Sequence, residues 1–300
     1  MVSVLAIDIG GSTIRGAKAT ESGLQEEPWT HTTETIVSAD TLVDRLDAAY
    51  DDIDAIGVAA AAVVDRETNE LLNVANWSGW DLTPLGDTFS VPLAVENDAD
   101  ASALGLKTYG DVASDADLAY LTISTGIGAG ILRNGELIPG AEAGFVNVNW
   151  DGEIQHSDVN DPWEGYAAGA QFPKRVREWL ADDERETTLT GTEDAKAFFE
   201  AVYEGDHVAR DYYTRLKRIN AAGIGSISDL FSTDVFKIGG GVALNHPDLV
   251  DYDDDPHTLE PVDLDSYCMT STPDIELTSF GVDLELYGAA AAAIERLQSR

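Results

Sequence analysis

The chain has 300 residues, 44% of them hydrophobic, which is enough to bury the core of one large or two medium domains. Its 55 acidic residues against 18 basic ones give a formal net charge of −37, which argues against nucleic acid or an anionic membrane as a partner, because both are polyanions. A single cysteine excludes internal disulfides. No apolar run approaches the roughly 20 residues of a membrane helix, and no signal-peptide pattern opens the chain, so we expect a cytoplasmic protein.

The acidic residues are spread along the chain, and Arg outnumbers Lys among the basic ones. A carboxylate-rich surface with little Lys is typical of proteins kept soluble in concentrated salt, where screening suppresses self-repulsion. We therefore predict a halophilic protein, from an archaeon. The alternative is an acidic protein of an ordinary cytoplasm, and neither interpretation says what the protein does.

The first part of the chain alternates apolar strand patterns with turns and helices. The predicted strands are 3–9, 14–19, 55–64 and 93–95, and the predicted helices are 40–50 and 99–106. Asp40 is the expected N-cap of the first helix, whose apolar face includes Leu42 and Leu46.

The second part repeats the opening pattern and then becomes mostly helical. A strand over 118–123, a glycine turn over 125–130 and a strand over 131–132 precede Asn134-Gly135, which predicts a type I′ hairpin turn. Further along, we predict helices over 162–180, 207–231 (with Leu230 on its core face) and 287–297, a strand over 235–238 and a surface loop over 246–267. Strands alternating with helices predict an α/β fold.

Three glycine turns at predicted strand ends form a candidate nucleotide site. Glycine lets the backbone approach a phosphate closely, and successive amides with Ser or Thr hydroxyls can bind its oxygens. The candidate residues are Gly10, Gly11, Ser12 and Thr13 in the first turn, Thr125, Gly126 and Gly128 in the second, and Gly239, Gly240 and Gly241 in the third. Asp8, at the end of the first strand, can hold Mg²⁺ through water.

Each turn alone is also explained by ordinary structure: a hairpin bulge for the first two, and a loop before a helix for the third. Together they indicate a nucleotide gripped between two lobes. The chain has no P-loop sequence, and no G-x-G-x-x-G motif follows its first strand. The first absence excludes a P-loop enzyme, and the second argues against a Rossmann site.

Glu96-Asn97-Asp98 ends a predicted strand just before a helix. A carboxylate at such a position can accept the proton of a hydroxyl, and an amide can bind a neighbouring hydroxyl. The alternative is that Asp98 only caps the helix.

These motifs, in this order and spacing, resemble the ROK family of sugar kinases, a branch of the actin-like ATPase (ASKHA) superfamily, from Val4 to about Leu297. The matching segments are 7–13, 76–80, 96–105, 122–130, 163–169 and 238–242. The resemblance implies a two-lobed actin-like, ribonuclease H-like α/β fold with a central cleft. The implied lobes are 1–107, with the helix of 281–300 packing back on it, and 108–280.

The resemblance also implies a glucokinase-like reaction, in which the γ-phosphate of ATP passes to a hexose hydroxyl, expected to be the 6-hydroxyl. In that reaction Asp98 is the catalytic base and Asp8 positions Mg²⁺ through water. Asn97 binds an adjacent hydroxyl, Glu164 contacts the sugar near its anomeric end, and Asn76 belongs to the sugar site. Arg15 joins the glycine turns in binding phosphate. A homodimer is implied as well.

The segment after the second hairpin departs from the family pattern. Phe145 stands where the family has a sugar-binding Glu, and Val148 where it has a His that ligates zinc. The zinc cysteines are absent from 151–162, so we expect no structural zinc. Asn147, Asn149 or Glu142 are the candidates to replace the lost acceptor, and we expect the loop residue His156 to be simply solvated.

The sugar itself therefore stays unassigned, since a polar site that lacks one partner discriminates against its former substrate. Two other functions remain open. One is a sugar sensor without catalysis, because the sugar loop is altered. The other is an actin-like ATPase that drives a partner or self-assembles without any sugar.

Overall fold

The computed structural model describes residues 2–33, 41–42, 46, 52–74, 89–152, 154–253 and 255–299. These residues form two compact units. Unit 1 comprises Met1–Ala116, Asn134–Gly140 and Val282–Arg300, and unit 2 comprises Asp117–Arg133 and Ala141–Gly281. The sequence-based lobe boundaries stay a prediction, and they differ from these units by leaving 108–116 and 134–140 out of the first lobe.

Fifteen strands and seven helices carry the fold of the described residues. The strands are β1 (Val4–Ile9), β2 (Thr13–Thr20), β3 (Gly23–Leu24), β4 (Trp29–Thr32), β5 (Ala55–Ala60), β6 (Ala62–Asp65), β7 (Glu70–Val74), β8 (Leu93–Asn97), β9 (Leu118–Ile123), β10 (Ile127–Arg133), β11 (Glu136–Ile138), β12 (Gln155–His156), β13 (Val159–Asn160), β14 (Val235–Gly239) and β15 (Asp274–Leu277). The helices are α1 (Asp98–Tyr109), α2 (Trp163–Ala167), α3 (Phe172–Leu180), α4 (Ala195–Glu204), α5 (His207–Phe231), α6 (Gly241–Asn245) and α7 (Leu284–Gln298).

The sheet of unit 1 runs in the order β3-β2-β1-β5-β8, with β4 paired to the other part of β2. β1, β5 and β8 are parallel, in a register that sets Asp8 beside Ala59 and Ala59 beside Glu96. The carboxyl ends of β1 and β8 therefore meet at one edge of the sheet, which is where ligands bind in α/β proteins. Both predicted chemical motifs of unit 1 follow these two strand ends.

Small residues let the helices of unit 1 approach the sheet and each other at backbone distance. A Cβ atom on Gly57 of β5 would lie 1.8 Å from the Ala289 carbonyl oxygen of α7. One on Gly288 of α7 would lie 1.9 Å from the Ala101 carbonyl oxygen of α1. The Ala-rich helix α7 thus closes one face of the sheet, and its buried residues include Leu286 and Ala293.

In unit 2, the order β10-β9-β14-β15 joins an antiparallel pair, β9 with β10, to the parallel strands β14 and β15. The long helix α5 supplies much of the core. Its Lys217 ammonium lies 2.7 Å from the Asp255 carboxylate, and the two side chains are 1% and 3% exposed. This ion pair draws the segment after α6 into the interior, with Leu249 and Val250 also buried.

Several predicted elements need correction. The strand over 55–64 is two strands, β5 and β6, separated at Ala61, whose N–H donates to the Ile9 carbonyl at 3.2 Å. The segment 246–267 is not only a surface loop, because of the Lys217 ion pair described above. Leu230 lies in the last turn of α5 and is 71% exposed.

The helix expected over 162–180 is interrupted between α2 and α3. Ala168 has an extended backbone, with φ −71° and ψ 144°. The Gly169 N–H donates to the Ser124 carbonyl at 2.7 Å and the Ala170 N–H to the Thr125 carbonyl at 3.2 Å. These bonds to a distant turn replace bonds that would have continued the helix.

Other expectations are confirmed where the structure describes them. Asn134 and Gly135 have φ values of 50° and 71°, as the type I′ turn requires. Of the helix predicted over 40–50, Leu42 and Leu46 are helical and buried, while its N-cap Asp40 lies outside the described residues. No helix in the described ranges is both long and apolar enough to cross a membrane.

Candidate active site

The first glycine turn joins β1 to β2 in unit 1. The Gly10 N–H donates to the Thr13 carbonyl at 2.9 Å, and the Thr33 hydroxyl donates to the Gly10 carbonyl at 3.1 Å. Gly11, Ser12 and Thr13 are exposed. The turn is thus fixed by its own backbone while its tip is open to a ligand, as a phosphate-binding turn requires.

Arg15 lies opposite Asp8 in the β1–β2 register. Its Nε and Nη2 each donate to Asp8 Oδ2 at 3.0 Å, and its Nη1 donates to Asp283 Oδ1 at 2.8 Å. Nη2 also donates to the Val282 carbonyl and lies 3.8 Å from the Glu285 carboxylate. Within unit 1, the Arg15 guanidinium therefore forms hydrogen bonds to protein carboxylates. Its binding to phosphate stays a prediction.

Asn97 and Asp98 sit where β8 passes into α1. Asn97 is the N-cap, and its Oδ1 accepts the N–H groups of Ala99 at 2.9 Å and Asp100 at 3.3 Å. Its Nδ2 donates to the Ala62 carbonyl at 3.2 Å, so little of the Asn97 amide is left for a ligand. Since Asn97 caps the helix, the alternative that Asp98 is there only as a cap is wrong.

Asp98 is a carboxylate with a strongly shifted pKa. Burial, and then the carboxylates of Asp8 and Asp100, raise its pKa to about 6, against the opposing hydrogen bond from the Ala99 N–H at 2.9 Å. Burial and the same Asp8 carboxylate raise the pKa of Glu285 to about 8, with a smaller contribution from Asp98. Asp98 thus belongs to an acidic cluster and is poised to accept a proton near neutral pH.

Arg66 is a site-supporting residue that the sequence analysis missed. Its Nε and Nη2 donate to Glu96 Oε1 at 3.0 and 2.7 Å, across 30 residues of sequence. Burial raises the pKa of Glu96 to about 7, although Arg66 opposes the shift. The pair joins the β6–β7 hairpin to β8, the strand that ends just before Asp98, and no local pattern in the sequence predicts it.

The second glycine turn, in unit 2, is shorter than predicted. β10 already begins at Ile127, so Gly128 lies inside a strand, opposite Thr122. Thr125 is exposed at the tip of the turn. A Cβ atom on Gly126 would lie 2.6 Å from Glu164 Oε2, so a side chain there would displace the Glu164 carboxylate from its present place.

Glu164 is held by contacts on both of its oxygens. Its Oε2 accepts the Ile127 N–H at 2.7 Å, and its Oε1 lies 2.8 Å from His156 Nε2. The His156 ring stacks on Phe145, with centroids 6.2 Å apart and planes at 19°. The expectation that His156 is simply solvated is therefore wrong, because the carboxylate of α2 and the ring of Phe145 hold it.

Two of the three candidate replacements for the lost acceptor, Asn147 and Asn149, form hydrogen bonds within the same loop. The Asn147 Nδ2 donates to the Asn160 carbonyl at 2.9 Å. The Asn149 Nδ2 donates to the Tyr166 hydroxyl at 2.9 Å, and that hydroxyl donates to Asp161 Oδ1 at 2.5 Å. Asn76, the remaining predicted sugar ligand, lies outside the described residues.

The third glycine turn follows β14. Gly240 has φ +88°, and a Cβ atom there would lie 2.5 Å from the Ile123 carbonyl oxygen. One on Gly239 would lie 2.7 Å from the Tyr120 hydroxyl oxygen, whereas one on Gly241 would meet nothing within 4 Å. Neighbouring atoms thus exclude side chains at the first two positions, and the third leaves bare backbone at the start of α6, where a flat ligand can lie.

No group of three or more His, Cys, Asp or Glu side chains within the described ranges could by itself hold a metal ion. Mixed α/β sheets with glycine turns at their strand ends, and a half-buried carboxylate at the start of a helix, are features suited to phosphoryl transfer. The sequence profile of the ROK family matches residues 4–295. The chain belongs to the ROK family.

The relatives agree with this assignment. A glucokinase from Streptomyces coelicolor is 30% identical over 262 residues, which cover 80% of this chain and 82% of that one. A crystal structure of a ROK family glucokinase from Streptomyces griseus, in complex with glucose and AMPPNP, has a TM-score of 0.73 at 25% identity, covering 98% of this chain and 99% of that one.

A ROK hexokinase from Thermus thermophilus has a TM-score of 0.79 at 22% identity, with both chains covered completely at 100%. These structures confirm the predicted two-lobed α/β fold of the actin-like type.

Proposed function

We propose that this chain is an ATP-dependent sugar kinase that transfers the γ-phosphate of ATP to a hydroxyl of a hexose or hexose derivative, at the 6-position. The observation that carries the proposal is Asp98, a half-buried carboxylate with a pKa raised to about 6, at the junction of β8 and α1. The glucokinase relatives support the reaction class. The loop around Phe145 gives no support for one particular hexose.

Asp98 serves as the general base in this proposal. Its Oδ1 accepts the Ala99 N–H, so Oδ2 is the oxygen that takes the proton of the sugar hydroxyl. As that proton leaves, the hydroxyl oxygen forms a bond to the γ-phosphorus, the bond from phosphorus to the bridging oxygen breaks, and ADP departs. Asn97, Asn76, Asn147 and Glu164 are the proposed sugar ligands.

The phosphates rest on the glycine turns. We assign Gly10, Gly11, Ser12, Thr13, Thr125 and Gly126 to the phosphates, with Gly128 behind them in β10, and Gly239, Gly240 and Gly241 to the nucleoside. Backbone amides suit a chain with this charge, because few basic side chains lie in its motifs. Arg15 orients Asp8 at this site, and any direct contact of its own with phosphate is part of the same proposal.

Asp8 fits a magnesium ion that keeps most of its water. Arg15 occupies only Oδ2 of the Asp8 carboxylate, and no complete protein ligand set exists among the described residues. Mg²⁺ typically binds one or two carboxylates together with waters and substrate phosphates. When bound, such an ion neutralises phosphate charge. We propose no structural zinc, since polar contacts such as Tyr166–Asp161 hold the loop instead.

The charge of −37 supports proposals about the environment and the partners of the protein. We propose a halophilic, archaeal and cytoplasmic enzyme that binds neither nucleic acid nor membranes, because polyanions repel such a surface. We also propose that the enzyme forms a homodimer, as the family resemblance implies.

The test is ADP release from ATP and Mg²⁺ in molar KCl with a panel of sugars. We expect at least one hexose to stimulate ADP release, and Asp98→Asn to lower kcat by about 10²–10⁴-fold. Asp111→Asn, the same change on an exposed carboxylate beyond α1, is the control and is expected to keep full activity.

Full activity of Asp98→Asn would contradict the assignment of the base. Release of ADP that no sugar stimulates would indicate an ATPase instead, and sugar binding without turnover would indicate a sensor.

A further inference from the structure

Both oxygens of the Glu164 carboxylate, in unit 2, are held by the protein. A main-chain N–H holds one oxygen at 2.7 Å, and the His156 ring holds the other at 2.8 Å. The two contacts come from two different strands, β10 and β12. Two contacts of this kind fix both the position and the rotation of a carboxylate, so its orientation is set before a ligand arrives.

Glu164 keeps capacity for further hydrogen bonds. An ionised carboxylate offers about four acceptor positions, and the protein uses two of them. The Glu164 side chain is 19% exposed and that of His156 is 23% exposed, so the pair is accessible from one side. What remains is an acceptor for a donor group such as a sugar hydroxyl.

The charge around this pair selects against anions. Burial, and then the Glu164 carboxylate, raise the pKa of the neighbouring Glu142. A second acidic side chain thus lies within electrostatic range of Glu164. A uronate or a sugar phosphate placed here would be repelled by these two carboxylates, whereas a neutral hydroxyl donates to Glu164 without that repulsion.

The position of His156 is built into the fold. Its ring stacks on that of Phe145, with the two planes at 19°. A Cβ atom on Gly165 would lie 3.2 Å from the Cβ of His156, a tight contact, so the glycine lets His156 lie close to the helix that carries Glu164.

We propose that His156 is a positioning and specificity-determining residue: it holds Glu164 so that the carboxylate accepts hydroxyls of a neutral sugar and rejects anionic sugars. This inference rests on the proposed function, because it assigns Glu164 to the sugar. The ring of Phe145 stacks on the imidazole of His156. In a loop that lacks the family's Glu and His, β12 thus supplies a hydrogen-bond partner for Glu164.

The test compares two substitutions of His156 in the full chain in molar KCl. His156→Phe keeps a planar ring against Phe145 but removes the hydrogen bond. His156→Gln places an amide N–H where Nε2 was. We expect His156→Phe to raise KM for the sugar about 10- to 100-fold, the range of a lost charge-assisted hydrogen bond, with KM for ATP unchanged. His156→Gln restores most of the affinity.

His207→Gln is the matched control, because His207 is an exposed histidine of unit 2 at the start of α5, and its kinetics are expected to match the wild type. Calorimetry of sugar binding without ATP repeats the comparison independently of turnover. Glucose 1-phosphate, whose charge lies at the anomeric end that Glu164 is proposed to contact, is expected to bind the wild-type chain at least tenfold more weakly than glucose.

An unchanged sugar KM in His156→Phe overturns the inference, as does equal loss of sugar and ATP affinity in both His156 variants. If His156→Phe does not fold, the test depends on His156→Gln. The inference is overturned if that variant binds the sugar no more tightly than Glu164→Gln does. These outcomes differ from failure of the proposed function, in which the wild-type chain phosphorylates no sugar at all.

Discussion

Asp98 combines a position predicted from sequence with a property that only the structure gives. The motif places a carboxylate at the end of a strand, but its shifted pKa depends on burial and on Asp8 and Asp100, which approach from β1 and α1. Like charges held together in this way favour the protonated form. The consequence is an acidic limb in the activity profile at a higher pH than an ordinary aspartate would give.

We expect kcat/KM for the sugar to be constant above the pKa of Asp98, about 6, and to fall about tenfold per pH unit below it, because the base must be ionised. Direct ADP measurement between about pH 5 and 8 checks this, with circular dichroism at each pH to confirm folding. Asp100→Asn removes one neighbouring charge and should move the limb to lower pH. Activity that stays constant down to about pH 5 would contradict the role of Asp98.

Arg15 is the cation that keeps this acidic cluster folded. Its side chain and that of Asp8 are 14% and 13% exposed, so removing it leaves a nearly buried carboxylate without its counter-charge. We expect Arg15→Met to lower the free energy of unfolding by about 3 kcal/mol, and Arg15→Lys by less. Chemical denaturation at constant KCl measures both.

The control for that measurement is Lys107→Met, which breaks the more exposed Lys107–Glu295 pair, 3.0 Å apart, at the other end of α1. Its expected loss is at most about 1 kcal/mol. If the two Met variants lose the same free energy of unfolding, the burial of Asp8 does not determine how much its ion pair with Arg15 stabilises the protein.

Side-chain pairs between elements are the part of the site that the sequence does not reveal. Glycine turns and Asp98 are recognisable because their chemistry lies in consecutive residues. The partners in the Arg66–Glu96 and His156–Glu164 pairs come from different elements, so the pairing depends on packing that no local pattern encodes. His156 in particular has no neighbour in sequence that marks it as a hydrogen-bond partner.

Among the elements, the packing of α7 on α1 and β5 depends on missing side chains. Gly288 faces the Ala101 carbonyl of α1 at a distance that excludes a Cβ atom. We expect Gly288→Ala to lower the free energy of unfolding by about 3 kcal/mol or more, even though alanine is the better helix former, because overpacking separates the two helices.

Thermal or chemical denaturation checks the effect of Gly288→Ala. Gly241→Ala, at the start of α6 where a Cβ atom meets nothing within 4 Å, is the control and should change stability by less than about 1 kcal/mol. Equal stability of the Gly288→Ala variant and the wild type would show that α7 can shift to make room.

The elements that follow strong local patterns were predictable, and those decided by distant contacts were not. β1, β9 and the long helix α5 appear where apolar periodicity places them. The break after α2 could not be predicted, because the carbonyls of Ser124 and Thr125 that cause it lie some forty residues earlier in the chain. The burial of the segment after α6 was likewise not predicted, because the composition of that segment is polar.

For the molecule as a whole, the charge of −37 predicts a dependence on salt. At low ionic strength the carboxylates repel one another across the surface, and screening shortens that repulsion to about 10 Å at 0.1 M salt. We expect Tm to rise steadily from low to molar KCl. A non-electrolyte at equal osmolality separates screening from general solute effects, and a Tm independent of KCl would contradict the halophilic proposal.

The division of the chain between the two units also has a consequence for its synthesis. Unit 2 is complete once the ribosome has passed Gly281, but the sheet of unit 1 still lacks α7, whose Leu286, Ala289 and Ala293 cover its face. The strands of unit 1 are therefore synthesised before the helix that covers one face of their sheet. We expect unit 1 to complete its fold after unit 2, with that apolar face exposed to solvent until α7 has been made.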